Sequence, residues 1–381
     1  MKNKNTTTFI YLYFSLLVTA CSPPKPPALQ LLESIANHSI LPFHQQFVTS
    51  TRRLHNSSNN FCEDKTEQQL QMVRSHWLLA MKDWQAVKVI QFGPVTVDNQ
   101  NWKIQFWPDR HNLIKKKING LLKSDDELTV ERIDKASVVV QGLSALEFLL
   151  FDQNGGQLNN YSSKNSSDND NKDGVRRCQL LTAISAHTQG VAKHLYQTWK
   201  KDGGNYSGHL SHPGENNIEF PEANTAIAAL VDTLVATIEL AKKDKLEGPL
   251  SIHTKGNRAR PYLSEAWRSR ASLQLLRANL QAARRLFNGG ALDKQHYGFD
   301  DYLTGNTIHT TLAESINTQF QQVDDIFSTL QKPLFEAVND PASQQALKQL
   351  QVEVIVLTKL LKYKLPPAMG VTLGFNANDG D

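Results

Sequence analysis

The stretch "TEQQLQMVRSHWLLAMKDWQAV", residues 66–87, sets the fold class. Within it Leu70, Val73, Trp77, Ala80, Met81 and Trp84 fall three or four residues apart, the spacing that gathers apolar side chains on one face of an α-helix. The "QFGPV" that follows brings Gly93 and Pro94, which stop a helix. Working outward, the same periodicity predicts helices at about 29–54 (with Pro42 as a break or restart), 109–122, 129–151, 176–201, 222–243, 262–287, 307–330 and 341–363. No alternating strand run stands out, so the expectation is an all-α protein in which helix packs on helix. A chain of 381 residues with 40% hydrophobic composition has ample material for a core, and its length favours two domains.

The N-terminus reads as an export leader. Lys2 and Lys4 give a positive start, residues 9–18 are apolar but too short to span a bilayer, and Thr19 and Ala20 precede Cys21. "SPPKPP", residues 22–27, is a polyproline-type spacer of about 3 Å per residue, long enough to hold a folded body roughly 20 Å from a membrane. No other segment approaches the length and apolarity needed to cross a bilayer. The expected organisation is therefore a leader (1–20), a tether (21–27) and two helical bundles (28–205 and 206–381), divided in the Gly- and Pro-rich stretch 202–224. The leader carries two lysines and no acids, so its removal takes the formal net charge from +4 to +2. Such a near-neutral chain offers no electrostatic case for a nucleic-acid partner.

If Cys21, the first residue after the leader, is taken up in processing, Cys62 and Cys178 remain as an isolated pair. An oxidising compartment favours joining them, the alternative being two buried thiols. A bridge across more than a hundred residues would contribute roughly 4–5 kcal/mol in the chain-entropy view.

The candidate site begins with "VVVQGLSALEFLLFD", residues 138–152, where Glu147 sits in an otherwise apolar run. On a helix Glu147 shares a face with Val140, Leu143, Ser144, Leu150 and Phe151, and Ser144 is its nearest polar companion. Gly142, just before them, costs a helix about 1 kcal/mol against alanine unless something needs the close approach. A buried carboxylate without a partner is expensive and drifts toward its neutral form. Arg110, Arg268, Arg270 or a bound cation would serve as that partner. Whether Glu147 belongs to a site or is a satisfied core carboxylate stays open at this point.

These residues carry a resemblance. Gly142, Ser144 and Glu147 occupy the positions of the G-x-H-x-x-E motif of the imelysin-like family, with serine where the family has histidine. "WLLAMKDWQAVKVIQFGPV" (77–95), "FWPDRHNL" (106–113), "SVVVQGLSALEFLLF" (137–151), "EAWRSRASL" (265–273) and "MGVTLGFNANDGD" (369–381) are similar to family signatures across nearly the whole chain. "LVTAC" (17–21) likewise resembles the bacterial lipoprotein signal, which implies lipidation of Cys21 and a periplasmic protein anchored in a membrane, with Ser22 resembling an outer-membrane sorting residue. The family resemblance implies two packed helical bundles, a site near their interface and a cell-envelope role often associated with iron uptake. It also implies a metallopeptidase label. Here the missing imidazole matters, since serine is a weak neutral ligand beside it and peptide hydrolysis through zinc needs three protein ligands and a held water. No H-E-x-x-H occurs among the 12 histidines.

The expectation is thus a noncatalytic component binding a ligand or an envelope partner, with no resident cofactor, iron or zinc being the ions to consider. The rivals are a metal-dependent peptidase and a structural envelope protein. Gly142, Ser144, Glu147, Asp109, Arg110, Arg268 and Arg270 are the candidate binding residues, although Asp109 also suits the cap of the next helix, and Trp107 and Trp267 suit core anchors. Other patterns fail. "DNDNKDG" within the polar loop 153–174 lacks the closing glutamate of an EF-hand, Leu180 standing there. "GLSAL" lacks the second glycine of a nucleophile elbow, and "FNGGALDKQHYG" lacks a P-loop's lysine and hydroxyl order. His187 and His194 are seven apart and read as packed or exposed side chains, while His209 and His212 share a loop that would hold a metal only weakly.

Overall fold

The computed structural model describes residues 25–161, 168–252, 258–293, 296–305 and 307–374, and among them there is no strand. The leader, Cys21 and the last part of the closing segment lie outside the described residues. Ten helices carry the architecture: α1 (Pro27–Ile35), α2 (Leu41–Glu63), α3 (Glu67–Val87), α4 (Leu113–Lys123), α5 (Gly142–Phe151), α6 (Asp168–Trp199), α7 (Ala223–Leu240), α8 (Ser272–Phe287), α9 (Thr310–Phe327) and α10 (Pro341–Lys359).

Helix α3 forms for the reasons its sequence states. The Thr66 hydroxyl caps it by accepting from the Gln69 amide at 3.2 Å, and Leu70, Val73, Trp77, Ala80, Met81 and Trp84 are all buried. Pro42 breaks no helix outright. It has no N–H to donate, and the chain absorbs the lost bond in a π-helical turn, Ala36–Ile40, before α2 continues.

Two helical bundles result. In the first, α2 packs on α3 and α6, while α5 lies against α3 and α6. In the second, α7, α8, α9 and α10 pack on one another. Helix α8 also packs on α3 and α1 on α7, so one continuous apolar core runs through both bundles. Cys62 at the end of α2 is bonded to Cys178 near the start of α6, closing 116 residues of chain.

Four expectations need correction. The helix expected at 129–151 is broken: a short turn (Val130–Asp134) and a 3-10 turn (Val138–Val140) precede α5, because Gly142 has φ +69° and cannot continue a right-handed run. Val140 therefore does not share a helical face with Glu147. The helix expected at 262–287 starts only at Ser272, and the chain before it is irregular, with Ala266 and Arg270 at positive φ. Finally, Ala223–Leu250 does reach the length and apolarity of a membrane span, yet most of it is buried in the second bundle, where a core helix needs the same composition. The polar stretch 153–174 is also shorter as a loop than expected, since α6 begins at Asp168 and Tyr161 is buried with its hydroxyl donating to Leu149 O at 2.7 Å.

Candidate functional site at the seam of the two bundles

Glu147 projects from α5 toward the second bundle and is 5% exposed. Its Oε1 accepts two hydrogen bonds from Ser269, one from the backbone amide at 2.9 Å and one from the hydroxyl at 3.0 Å. Burial pushes the Glu147 carboxyl above its ordinary value, while the Ser269 amide, the Arg268 charge, the Ser269 hydroxyl and the Arg268 amide pull the other way. Its partner is thus a serine that sequence reasoning did not single out. The segment 264–271 that supplies it is strained: Ala266 at φ +49° and Arg270 at φ +61° each carry a cost of order 1–3 kcal/mol. A strained loop needs fixed anchors, and Glu147 is one of them.

Arg268 is held by several groups at once. Its guanidinium lies over the rings of Trp267 (4.3 Å) and Phe148 (5.4 Å), its Nε stands 3.6 Å from Asp152 Oδ2, and Nη2 donates to Asn112 Oδ1. Asp109 is spent on its own chain, its two oxygens accepting from the amides of Leu113 (2.7 Å) and Ile114 (3.1 Å) at the start of α4. Arg110 is exposed and, among the described residues, makes no ion pair. Arg270 turns away: it pairs with Glu336 at 3.0 Å and stacks on Phe335 at 3.6 Å, outside the cavity.

Ser144, Glu147, Asp109, Arg110 and Arg268 line one cavity, together with Trp107 and Trp267. The two tryptophans are half-buried walls rather than core anchors. The cavity holds about 30 Å³, room for a water or a single small ion. It meets the surface at Pro108, Arg110 and Tyr262, all exposed. Gly142 does not line it but sets it. A Cβ there would lie 2.5 Å from Lys103 O and closer still to Ile104 O, so only glycine lets the start of α5 seat against that backbone.

The donors around Glu147 are hydroxyls, backbone amides and a guanidinium. That set does not fit a zinc ion, which takes about three nitrogen, sulfur or carboxylate ligands from the protein. Among the described residues no group of three or more His, Cys, Asp or Glu side chains is placed to share an ion. His187 is buried with Nε2 3.2 Å from Asp134, whereas His194 is exposed, and His212 Nδ1 is taken by Ser211 Oγ at 2.9 Å.

Beside this cavity lies a buried polar network that the sequence concealed. Glu265 is 1% exposed and accepts from Gln105 at 2.7 Å and Gln85 at 3.2 Å; Lys245 Nζ stands 3.1 Å away and Lys88 Nζ 3.7 Å. Lys245 also donates to Gln85 Oε1 at 2.7 Å, and Asn279 donates to Gln85 O at 3.1 Å. Burial alone would raise the Glu265 carboxyl, but Lys245, Lys88 and Gln105 hold it down at about 2. The network joins α3 to the second bundle. Lys245 belongs to a charged run, "AKKDKLEG", and is buried within the π-helical turn Ala241–Glu247. Gln85, next to the apolar stripe of α3, was the one available hint.

Comparison with known proteins agrees with this architecture. The profile of the imelysin family (peptidase M75) matches residues 40–361. An iron-regulated protein A of Synechococcus elongatus is 20% identical over 339 residues, covering 89% of this chain and 86% of that protein. Among solved structures, an imelysin-like protein from Psychrobacter arcticum superposes with a TM-score of 0.74 at 20% identity, covering 92% of this chain and 97% of that one. A Parabacteroides distasonis protein described as an iron-regulated protein A precursor gives 0.69 at 14% identity, covering 90% and 97%. With a profile match over most of its length and the two-bundle architecture in common, this chain belongs to the imelysin family.

Proposed function

We propose that this protein is a noncatalytic binding component of the bacterial cell envelope, associated with iron uptake, which engages a ligand or a protein partner at the seam of its bundles. In this reading Cys21 carries the lipid that anchors the mature chain to a membrane, the outer one if Ser22 acts as a sorting residue. The observation that supports it most is the bonding of Glu147: the carboxylate is committed to the Ser269 hydroxyl and to backbone amides, with no imidazole beside it among the described residues. It fixes the strained loop 264–271, and the loop in turn sets Trp267 and Arg268 beside the exposed Arg110 and Tyr262. Recognition then belongs to that rim, and Glu147 is its internal anchor. The iron association rests on the names of the relatives.

The test is equilibrium dialysis of the mature protein against radiolabelled ferric citrate, repeated with Glu147→Ala, alongside far-ultraviolet circular dichroism. The expected result is binding by the parent chain that the variant loses while its helical signal persists. Cleavage of a denatured protein that a chelator stops would favour the metallopeptidase rival instead. Loss of helical signal in Glu147→Ala, with no binding by the parent, would leave Glu147 as a purely structural tie.

A further inference from the structure

A larger pocket adjoins the seam on the other side of Trp107 and Pro108. It encloses about 510 Å³ between α3, the segment 90–110 and the end of α7, a volume within the range of small-molecule sites. Its apolar walls are the indoles of Trp84, Trp102 and Trp107 with Leu240 behind them. Trp102 is 39% exposed, and the aromatic ring it meets among the described residues is Phe106, at 5.8 Å.

The charges are not balanced. Lys88 and Arg110 line the pocket against a single acid, Asp244. Beneath them the Glu265 carboxylate is shared by Lys245 at 3.1 Å and Lys88 at 3.7 Å, so two acids stand against three bases. The Lys88 ammonium, with its side chain 22% exposed, lies 5.2 Å over the Trp107 ring, at the boundary between aromatic wall and open space. Arg110 has no acidic partner among the described residues. One positive charge is therefore left over beside three indole rings, an arrangement complementary to a flat, apolar body with one negative group.

We propose that this pocket is a second binding site, which takes a small planar aromatic ligand bearing one carboxylate or similar monoanionic group. The ring lies against Trp102 and Trp107, and the anion meets Lys88 and Arg110. The site uses neither Ser144 nor Glu147; it shares Arg110 with the rim of the seam, while Trp102, Lys88 and Asp244 belong to this pocket and not to the seam cavity, so variants at Trp102 and Asp244 test it separately from the seam reading. Burial draws the Lys88 amine down to about 8, Glu265 and Asp244 drawing it back up and Lys245 lowering it further. The amine is charged at neutral pH and loses its charge as the pH rises past that value, and anion binding should weaken with it.

The experiment uses the whole mature chain and two probes with the same ring, 2-naphthoate and the neutral 2-naphthalenemethanol, followed by tryptophan fluorescence and calorimetry. Naphthoate is expected to bind about tenfold more tightly than the alcohol, a difference of about 1.4 kcal/mol, and to lose that advantage well above pH 8. Trp102→Ala, at a partly exposed position, should weaken both probes about tenfold while the helical circular-dichroism signal persists. Asp244→Asn should tighten naphthoate and leave the alcohol unchanged. Equal affinity for the two probes, equal or better binding of the cationic 2-naphthylmethylamine, no binding at all, or unchanged affinity in Trp102→Ala would each overturn the proposal.

Discussion

Replacing Gly142 by alanine separates two physical accounts by the sign of the effect. Helix propensity alone makes Gly142→Ala stabilising by about 1 kcal/mol, because glycine is the poorer helix former. The tertiary structure reverses this. Gly142 sits at φ +69°, where an L-residue pays roughly 1–2 kcal/mol. Its new Cβ would also collide with the backbone oxygens of Lys103 and Ile104, which are main-chain atoms and cannot swing aside. Relief needs a shift of α5 or of the segment it rests on, an overpacking cost of about 1–3 kcal/mol. The sum is a destabilisation of about 2–5 kcal/mol. Urea unfolding followed by circular dichroism measures it, provided the midpoint falls and the slope stays constant. Such a shift would move Ser144 and Glu147 away from Ser269 as well, so ligand binding at the seam should weaken in the same variant. An alanine variant as stable as the parent, or more so, would refute the steric argument and with it the role given to this glycine.

Four further outcomes follow from the same structure. Cys62→Ser frees a loop of 116 residues and should cost about 4–5 kcal/mol in the chain-entropy view, read as a lower unfolding midpoint that a reductant no longer changes. Glu265→Gln leaves Lys245 and Lys88 in the interior without their carboxylate, and a loss of about 3–5 kcal/mol is expected by urea unfolding. The same residue sets an acid limit: its carboxyl is held at about 2 against 4.5 when unfolded, so its contribution is complete above 4.5 and declines as the pH falls toward 2. Lys88 works in the opposite sense at high pH. Its folded value is about 8 against 10.5, so between these the unfolded chain holds a proton the folded one has released, and stability rises with pH there. A pH scan of the unfolding midpoint checks both, and an acid limb unchanged in Glu265→Gln would count against the first.

What the chain states locally was legible. The stripe of α3 and the cap by Asp109 depend on residues within a few positions of one another, and both appear in the structure as read. Helix packing on helix followed from that periodicity, and the Cys62–Cys178 pair from there being two cysteines left to join. The motif positions of Gly142 and Glu147 identified a region of the seam, but not how it is held. Glu147 lies 122 residues from Ser269, Lys245 is 160 from Gln85, and Arg268 is 156 from Asn112. No local pattern encodes such pairs, because each forms only when the bundles meet and water leaves the surface between them. The same meeting imposes left-handed backbone on Ala266 and Arg270, breaking the helix their sequence favours, and requires glycine at 142 where the main chain of 103–104 comes close. Sequence determined which segments coil and which faces are apolar. Tertiary structure alone decided which buried charges face each other, because long-range packing fixes the distances over which desolvated charges act.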